Sequence, residues 1–215
     1  MVFRQISNYN IGGALLISPN NFEGGIVTFG FENIRLWRIN TEKGIIQGSN
    51  IYLGQSNRKV RYTSAIVLPN REDILLFVGD SNGFITTVSV AEGKMLQSLK
   101  IDACGIDQML LLKDGRCLYG NENGGVRVID LGRMEVLEEY SLNNRIKNMK
   151  QLPSDEIILT HFNKSVGSLS LNSSMYSFLA RSHTAPITGL VYSPYLSKAV
   201  SISRDNSIRI WHYLS

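Results

Sequence analysis

Cysteine and histidine are scarce in this sequence, and their scarcity removes several classes of chemistry. Cys104 and Cys117 are the two cysteines among 215 residues, and they lack the CxxC spacing of a redox or zinc site. They cannot build a disulfide framework and read as ordinary buried thiols. The three histidines, His161, His183 and His212, are scattered and form no HExxH motif, so no metal centre is expected. No apolar run approaches the ~18–20 residues that a bilayer span needs. The opening residues MVFRQISNYN also lack the apolar stretch of a signal peptide. No membrane association and a cytoplasmic location are therefore expected. Helical periodicity is not sustained over ~11 residues anywhere.

Charge is unconcentrated. Twenty-two basic and 18 acidic residues give a net +4, spread along the chain apart from small groups at Arg58-Lys59-Val60-Arg61 and Arg145-Ile146-Lys147. No stretch interleaves aromatic with basic residues as a nucleic-acid platform would, so no nucleic-acid partner is expected. The mild positive balance favours acidic partners instead, through weak electrostatic steering.

What the chain does have is a period. Five β-like runs close on a hydrophobic residue, at Trp37, Val88, Ile129, Leu169 and Trp211, with intervals of 51, 41, 40 and 42 residues. A repeat of roughly 40–45 residues marks a four-stranded propeller blade, whose small sheet buries its faces only by stacking on neighbours. The third unit shows the grammar. Strands over 106–112, 116–119, 126–131 and 136–142 are separated by the turns Lys113-Asp114-Gly115 and 121–125 and by Arg133-Met134-Glu135. The second unit predicts strands over 63–68, 74–78, 84–90 and 95–101, and the fourth over 146–152, 157–160, 165–171 and 176–181. The fold class is all-β: a β-propeller of about five four-stranded blades, in one region over 1–215 with repeats at roughly 1–40, 41–91, 92–132, 133–172 and 173–215. The longer first interval places its surplus at 41–61, as an edge strand or protruding loop. Val2–Ile6 could complete a blade shared by the two termini, or the chain could be part of a larger or tandem propeller.

The last repeat reads Ser182-His183, an apolar strand with Ile187 and Leu190, Ser193-Pro194, the run Val200-Ser201-Ile202-Ser203-Arg204-Asp205, and Ile208-Arg209-Ile210-Trp211-His212. In these residues it resembles the WD40 family. The resemblance implies a buried tetrad of His183, Ser201 or Ser203, Asp205 and Trp211, with Ser203 the expected hydroxyl. The other repeats depart from the pattern: Asn82, Asn123 and Asn163 stand six residues before Val88, Ile129 and Leu169, and Phe31 stands six before Trp37. Only Ile129-Asp130 keeps the acidic half of the family's closing dipeptide. The segment IVTFGFENIRLWRI, followed by NIYLG and YTSAIVLP, looks like repeats of the large tandem WD-repeat proteins of centrioles and cilia.

A hydrolase is the alternative that the residues themselves raise, since His183, Asp205 and Ser203 are the components of a triad. Their spacing is that of the structural tetrad, and no G-x-S-x-G nucleophile elbow exists. The glycines from Gly120 to Gly132 precede a strand instead of a helix, so they offer no phosphate-binding helix N-terminus; no cofactor is expected. The sequence predicts a non-catalytic protein–protein interaction scaffold. Arg58, Lys59 and Arg61 are its candidate partner contacts, and tubulin or ciliary and centriolar proteins are candidate partners by the second resemblance. A soluble adaptor in ubiquitin ligation, trafficking or RNA processing is the other scaffold reading.

Overall fold

The structure, a computed structural model, describes residues 11–17, 25–40, 42–53, 59–69, 74–142, 144–181, 183–193, 195 and 198–212. They contain strands and turns and no helix, hence none long and apolar enough to cross a membrane. The proposed terminal strand at Val2–Ile6 lies outside the described residues.

Among the described residues, nineteen strands form five antiparallel sheets in chain order. The first sheet holds β1 (Ile11–Ile17), β2 (Gly25–Gly30), β3 (Ile34–Asn40) and β4 (Ile45–Asn50), and the second β5 (Tyr62–Pro69), β6 (Ile74–Asp80), β7 (Phe84–Ser89) and β8 (Lys94–Lys100). The third holds β9 (Ile106–Leu111), β10 (Cys117–Asn121), β11 (Gly125–Asp130) and β12 (Glu135–Ser141), and the fourth β13 (Ile146–Gln151), β14 (Ile157–His161), β15 (Ser165–Ser170) and β16 (Met175–Arg181). The fifth has three described strands, β17 (Ile187–Ser193), β18 (Lys198–Ser203) and β19 (Ile208–His212). Each sheet is offset from the sequence repeat, because the segment following each closing residue turns back and pairs as the outer strand of the sheet it has just left.

The period-2 geometry of a strand gives each sheet two faces, and the cores lie between consecutive sheets. Val27, Phe29, Ile34 and Leu36 of the first sheet pack against Leu76, Val78 and Val88 of the second. Phe77 and Ile85 of the second meet Ile106, Cys117, Tyr119 and Ile129 of the third. Leu118, Val126 and Val128 of the third meet Ile146, Ile157, Leu159 and Leu169 of the fourth. The closing residues Val88, Ile129 and Leu169, each fully buried, are the anchors of these layers. In the fifth sheet the face that corresponds to Val126 and Val128 is aliphatic too, but Ile202, Ile208 and Ile210 are 47%, 68% and 62% exposed.

One irregularity is common to all five sheets, and the second, third and fourth carry another between their third and fourth strands. A bulge interrupts the pairing of the first two strands one residue after the first strand begins, at Gly12, Thr63, Asp107, Lys147 and Thr188. A bulge re-aims the extra side chain out of the pleat. At Thr63 and Asp107 it aims toward the junction with the next sheet: the Thr63 hydroxyl donates to the carbonyl of Ile106 in the third, and Asp107 meets Arg145 of the fourth. The 41–61 surplus is partly resolved into structure: after β4 the chain runs across to the second sheet, where Tyr52 pairs with Lys94. The Tyr52 amide donates to Gly93 O at 2.9 Å and its carbonyl accepts the Met95 amide at 2.8 Å.

Candidate functional site

Two ends of the stacked sheets carry the turns. We call upper the end bearing the tight turns between second and third strands of each sheet and the connections between sheets.

At the upper end of the fifth sheet the predicted tetrad is assembled, with one change of member. Nδ1 of His183 lies 3.1 and 3.2 Å from the Asp205 carboxylate oxygens, and Nε2 lies 2.7 Å from Ser201 Oγ. The Trp211 indole donates to the same oxygen at 2.8 Å. With the Ser201 lone pair taken by the indole, its hydroxyl hydrogen is left for Nε2, and Nδ1–H faces the carboxylate. Ser203, the hydroxyl expected from the sequence, is not part of this chain. Its Oγ donates to Ala185 O at 2.8 Å and accepts the Asp205 amide at 3.2 Å. Two residues along a strand is a displacement of about 6.6 Å on the same face, which carries Ser203 past the imidazole to the turn. Asp205 also accepts from Ser207 Oγ at 2.6 Å, and this bond, with the Thr184 amide and His183, holds its carboxyl well below the usual range. A hydrolytic nucleophile must be exposed; Ser201 is 1% exposed, clamped between a ring nitrogen and an indole.

The other sheets fill the same positions differently. In the first, Trp37 donates to Thr28 Oγ1 at 2.8 Å, repeating the Trp211–Ser201 bond. The fourth keeps the turn: Asn163 accepts from the Ser165 amide at 3.0 Å and its hydroxyl at 2.6 Å, as Asp205 does from Ser207. In the second and third sheets the turn is capped two residues earlier. Asp80 Oδ1 accepts the amides of Asn82 and Phe84, and Asn121 Oδ1 those of Asn123 and Gly125. These short polar side chains stabilise the turns by mimicking a backbone acceptor.

The third sheet carries a charge cluster where the fifth has its imidazole. Asp102, four residues before β9 as His183 is four before β17, is 5% exposed. It accepts from the Tyr119 hydroxyl at 3.2 Å, Asn121 Nδ2 at 2.9 Å and the Cys104 amide at 3.0 Å, and it pairs with Arg127. Burial alone would raise its carboxyl pKa, but Asn121, Cys104 and Arg127 together bring it below the ordinary value. Burial pushes the Tyr119 phenol up to about 12 and the Cys117 thiol up to about 12.

Of the candidate partner contacts, Arg58 lies outside the described residues. Lys59 and Arg61 are exposed at the upper end, at the junction of the first two sheets. Neither side chain has an acidic partner among the described residues. The corresponding junction between third and fourth sheets holds a feature that sequence reading missed. Asp107 grips Arg145 bidentately at 2.5 and 2.6 Å, Glu122 stands 3.6 Å away, and the guanidinium lies 4.8 Å from the centre of the Phe162 ring. Among the described residues no group of three or more His, Cys, Asp or Glu converges as metal ligands.

Comparison with known proteins places this architecture. The chain superimposes on the β-propeller domain of Cps50 (Swd1) from Myceliophteria thermophila with a TM-score of 0.65, covering 97% of this chain and 72% of that one at 13% identity. It superimposes on Sqt1 of Saccharomyces cerevisiae with a TM-score of 0.67, covering 98% and 62% at 12% identity. The fold is a WD40-type β-propeller. A scan against protein-family models finds no match. In sequence, this propeller chain is similar to WD repeat-containing protein 90: 23% identical to the Homo sapiens protein over 214 residues, and 29% identical to the Mus musculus protein over 103. It covers 12% of the human and 6% of the mouse protein's length. Within the WD40-type pattern the complete polar tetrad belongs to the fifth sheet, and the indole–hydroxyl half of it to the first.

Proposed function

We propose that this chain is a non-catalytic protein-binding scaffold within a microtubule-based assembly of a cilium, axoneme or centriole, cytoplasmic and attached to the cytoskeleton. The carrying observation is its likeness, over 88% of its length, to a WD repeat-containing protein of which it spans 12%. That relation fits one segment of a very large repeat protein, as does the resemblance of residues 26–68 to the tandem WD-repeat proteins of centrioles and cilia. The polar clusters support a binding role over a catalytic one, because His161, His183, Ser201 and Ser203 are buried and held in hydrogen bonds. Partners would be other proteins, with tubulin and ciliary or centriolar proteins first among them, and Lys59 and Arg61 lie on a face able to meet acidic surfaces.

The test is fluorescence localisation of the endogenously tagged protein in a ciliated cell, with a microtubule marker in a second channel. Signal confined to axonemes or basal bodies is expected. A diffuse or nuclear signal would overturn the assembly and favour a soluble adaptor in ubiquitin ligation, trafficking or RNA processing.

A further inference from the structure

Two sheet junctions in this propeller are built to the same plan, and one of them is missing its carboxylate. In the plan, an arginine immediately before the first strand of one sheet faces two positions of the preceding sheet: the bulge residue and the first residue of the upper turn. Between the third and fourth sheets these are Arg145, Asp107 and Glu122. Asp107 binds the guanidinium at 2.5 and 2.6 Å, and Glu122 lies 3.6 Å from it. Between the first and second sheets the same three positions are Arg61, Gly12 and Phe31.

Where Asp107 projects its carboxylate, Gly12 projects nothing. The space is a cleft of about 120 Å³ lined by Gly12, Gly30, Phe31 and Arg61. Phe31 is 46% exposed, and the Arg61 guanidinium has no carboxylate partner among the described residues. Exposed Lys59 precedes Arg61 by two residues, and Glu32, whose amide donates to Val60 O at 2.8 Å, is an acidic residue of the same junction. A Cβ added at Gly12 would meet backbone atoms at ordinary van der Waals distance, Tyr62 O at 3.5 Å and Gly30 Cα and Phe29 O at 3.6 Å, so a side chain there is accommodated without a clash.

We infer that this cleft receives the carboxylate side chain of an acidic segment on a partner protein, which completes at Arg61 the ion pair that Asp107 completes internally at Arg145. An Arg–carboxylate pair is planar and two-pronged, so the guanidinium would select a carboxylate in the orientation Asp107 adopts, with the Phe31 ring as the apolar wall against its methylenes. The inference deepens the protein-binding reading above and rests on it.

The experiment measures fluorescence anisotropy of fluorescein-labelled hexaglutamate, with hexaglutamine as the neutral probe, at low ionic strength. Hexaglutamate should bind saturably and hexaglutamine should not. Arg61→Gln should weaken binding at least ten-fold, and Gly12→Asp by a similar factor, because it supplies the carboxylate from within. Gly12→Asp should also raise the thermal midpoint by pairing with Arg61. Arg133→Gln at the lower end and Asn123→Asp at the upper end, which change the charge equally, should stay within two-fold. Absence of hexaglutamate binding, equal binding of both probes, or equal loss in all four variants would overturn the assignment. Circular dichroism of each variant separates lost binding from lost fold. The peptide assay reports on the cleft whatever the protein's cellular address, and localisation reports on the address whatever the cleft binds.

Discussion

The indole of Trp37 donates to the hydroxyl of Thr28 at 2.8 Å, the bond that Trp211 makes to Ser201 four sheets later. Both members of the first pair are buried. Thr28→Val keeps the shape and removes the acceptor, leaving an indole N–H without a partner, which costs about 1–2 kcal/mol. Urea denaturation should show that loss, and a Thr28→Ser variant should recover most of it. Equal stability of the valine variant and the parent would mean that the bond contributes nothing.

Ser201 and Ser203 look interchangeable in sequence but hold different partners. Ser201→Ala strands both the His183 ring and the Trp211 indole, a loss of about 2–3 kcal/mol, whereas Ser203→Ala releases two contacts to the turn backbone, at the Ala185 carbonyl and the Asp205 amide, at about 1 kcal/mol. The same denaturation series ranks them. A larger loss for Ser203→Ala would contradict the network described for the fifth sheet.

Asp102 and Arg127 form an ion pair whose acidic side chain is 2% exposed and whose guanidinium is 20% exposed. Asp102→Ala leaves the guanidinium and the Tyr119 hydroxyl without their shared acceptor, at a cost of about 3 kcal/mol, softened from the fully buried case by the solvent that reaches Arg127. Adding Arg127→Met should restore part of that loss, because the mostly buried guanidinium, left with only the exposed Glu139 as an acidic partner, is then gone. A double variant less stable than the single one would show that the pair is not the source of the cost.

Acid should act on the same groups. The Asp205 and Asp102 carboxyls are both lowered in the folded chain from the ordinary 3.8. A group whose native pKa is depressed contributes stability that is complete above its unfolded value and is lost as pH falls through its native value. The urea midpoint should therefore hold steady from neutrality to about pH 5 and fall below about pH 4. Asp205→Asn should flatten that fall while lowering stability at pH 7. A variant that keeps the full acid slope would remove Asp205 from the explanation.

The strands and their period were legible because they follow from local rules. Alternating apolar runs, turn residues such as Asp80-Ser81-Asn82-Gly83, and the closing positions from Trp37 to Trp211 are all marks that a strand leaves on its own segment. The third sheet shows the limit of such reading. Asp102, Tyr119 and Arg127 lie on different strands or loops, and only tertiary packing brings the three together. One signal was available in the spacing, since Asp102 precedes Ile106 by the interval at which His183 precedes Ile187. The choice of Ser203 over Ser201 failed for a related reason: two hydroxyls on one strand face differ in sequence only by a step of two. The bulge that turns Asp107 toward Arg145 depends on register between strands, which no single segment encodes.

The exposed aliphatic face of the fifth sheet bears on how the chain comes apart. In a stacked array each unit contributes its own folding free energy and shares a coupling term with each neighbour. The third sheet, with packed layers on both sides, draws on two such couplings, while among the described residues Ile202, Ile208 and Ile210 join none of the buried clusters. Opening of the fifth sheet need not wait for the others. Its amides should exchange with deuterium while those of β10 and β11 stay protected, so a graded melting profile is expected instead of one transition, and a single unfolding free energy would misdescribe it.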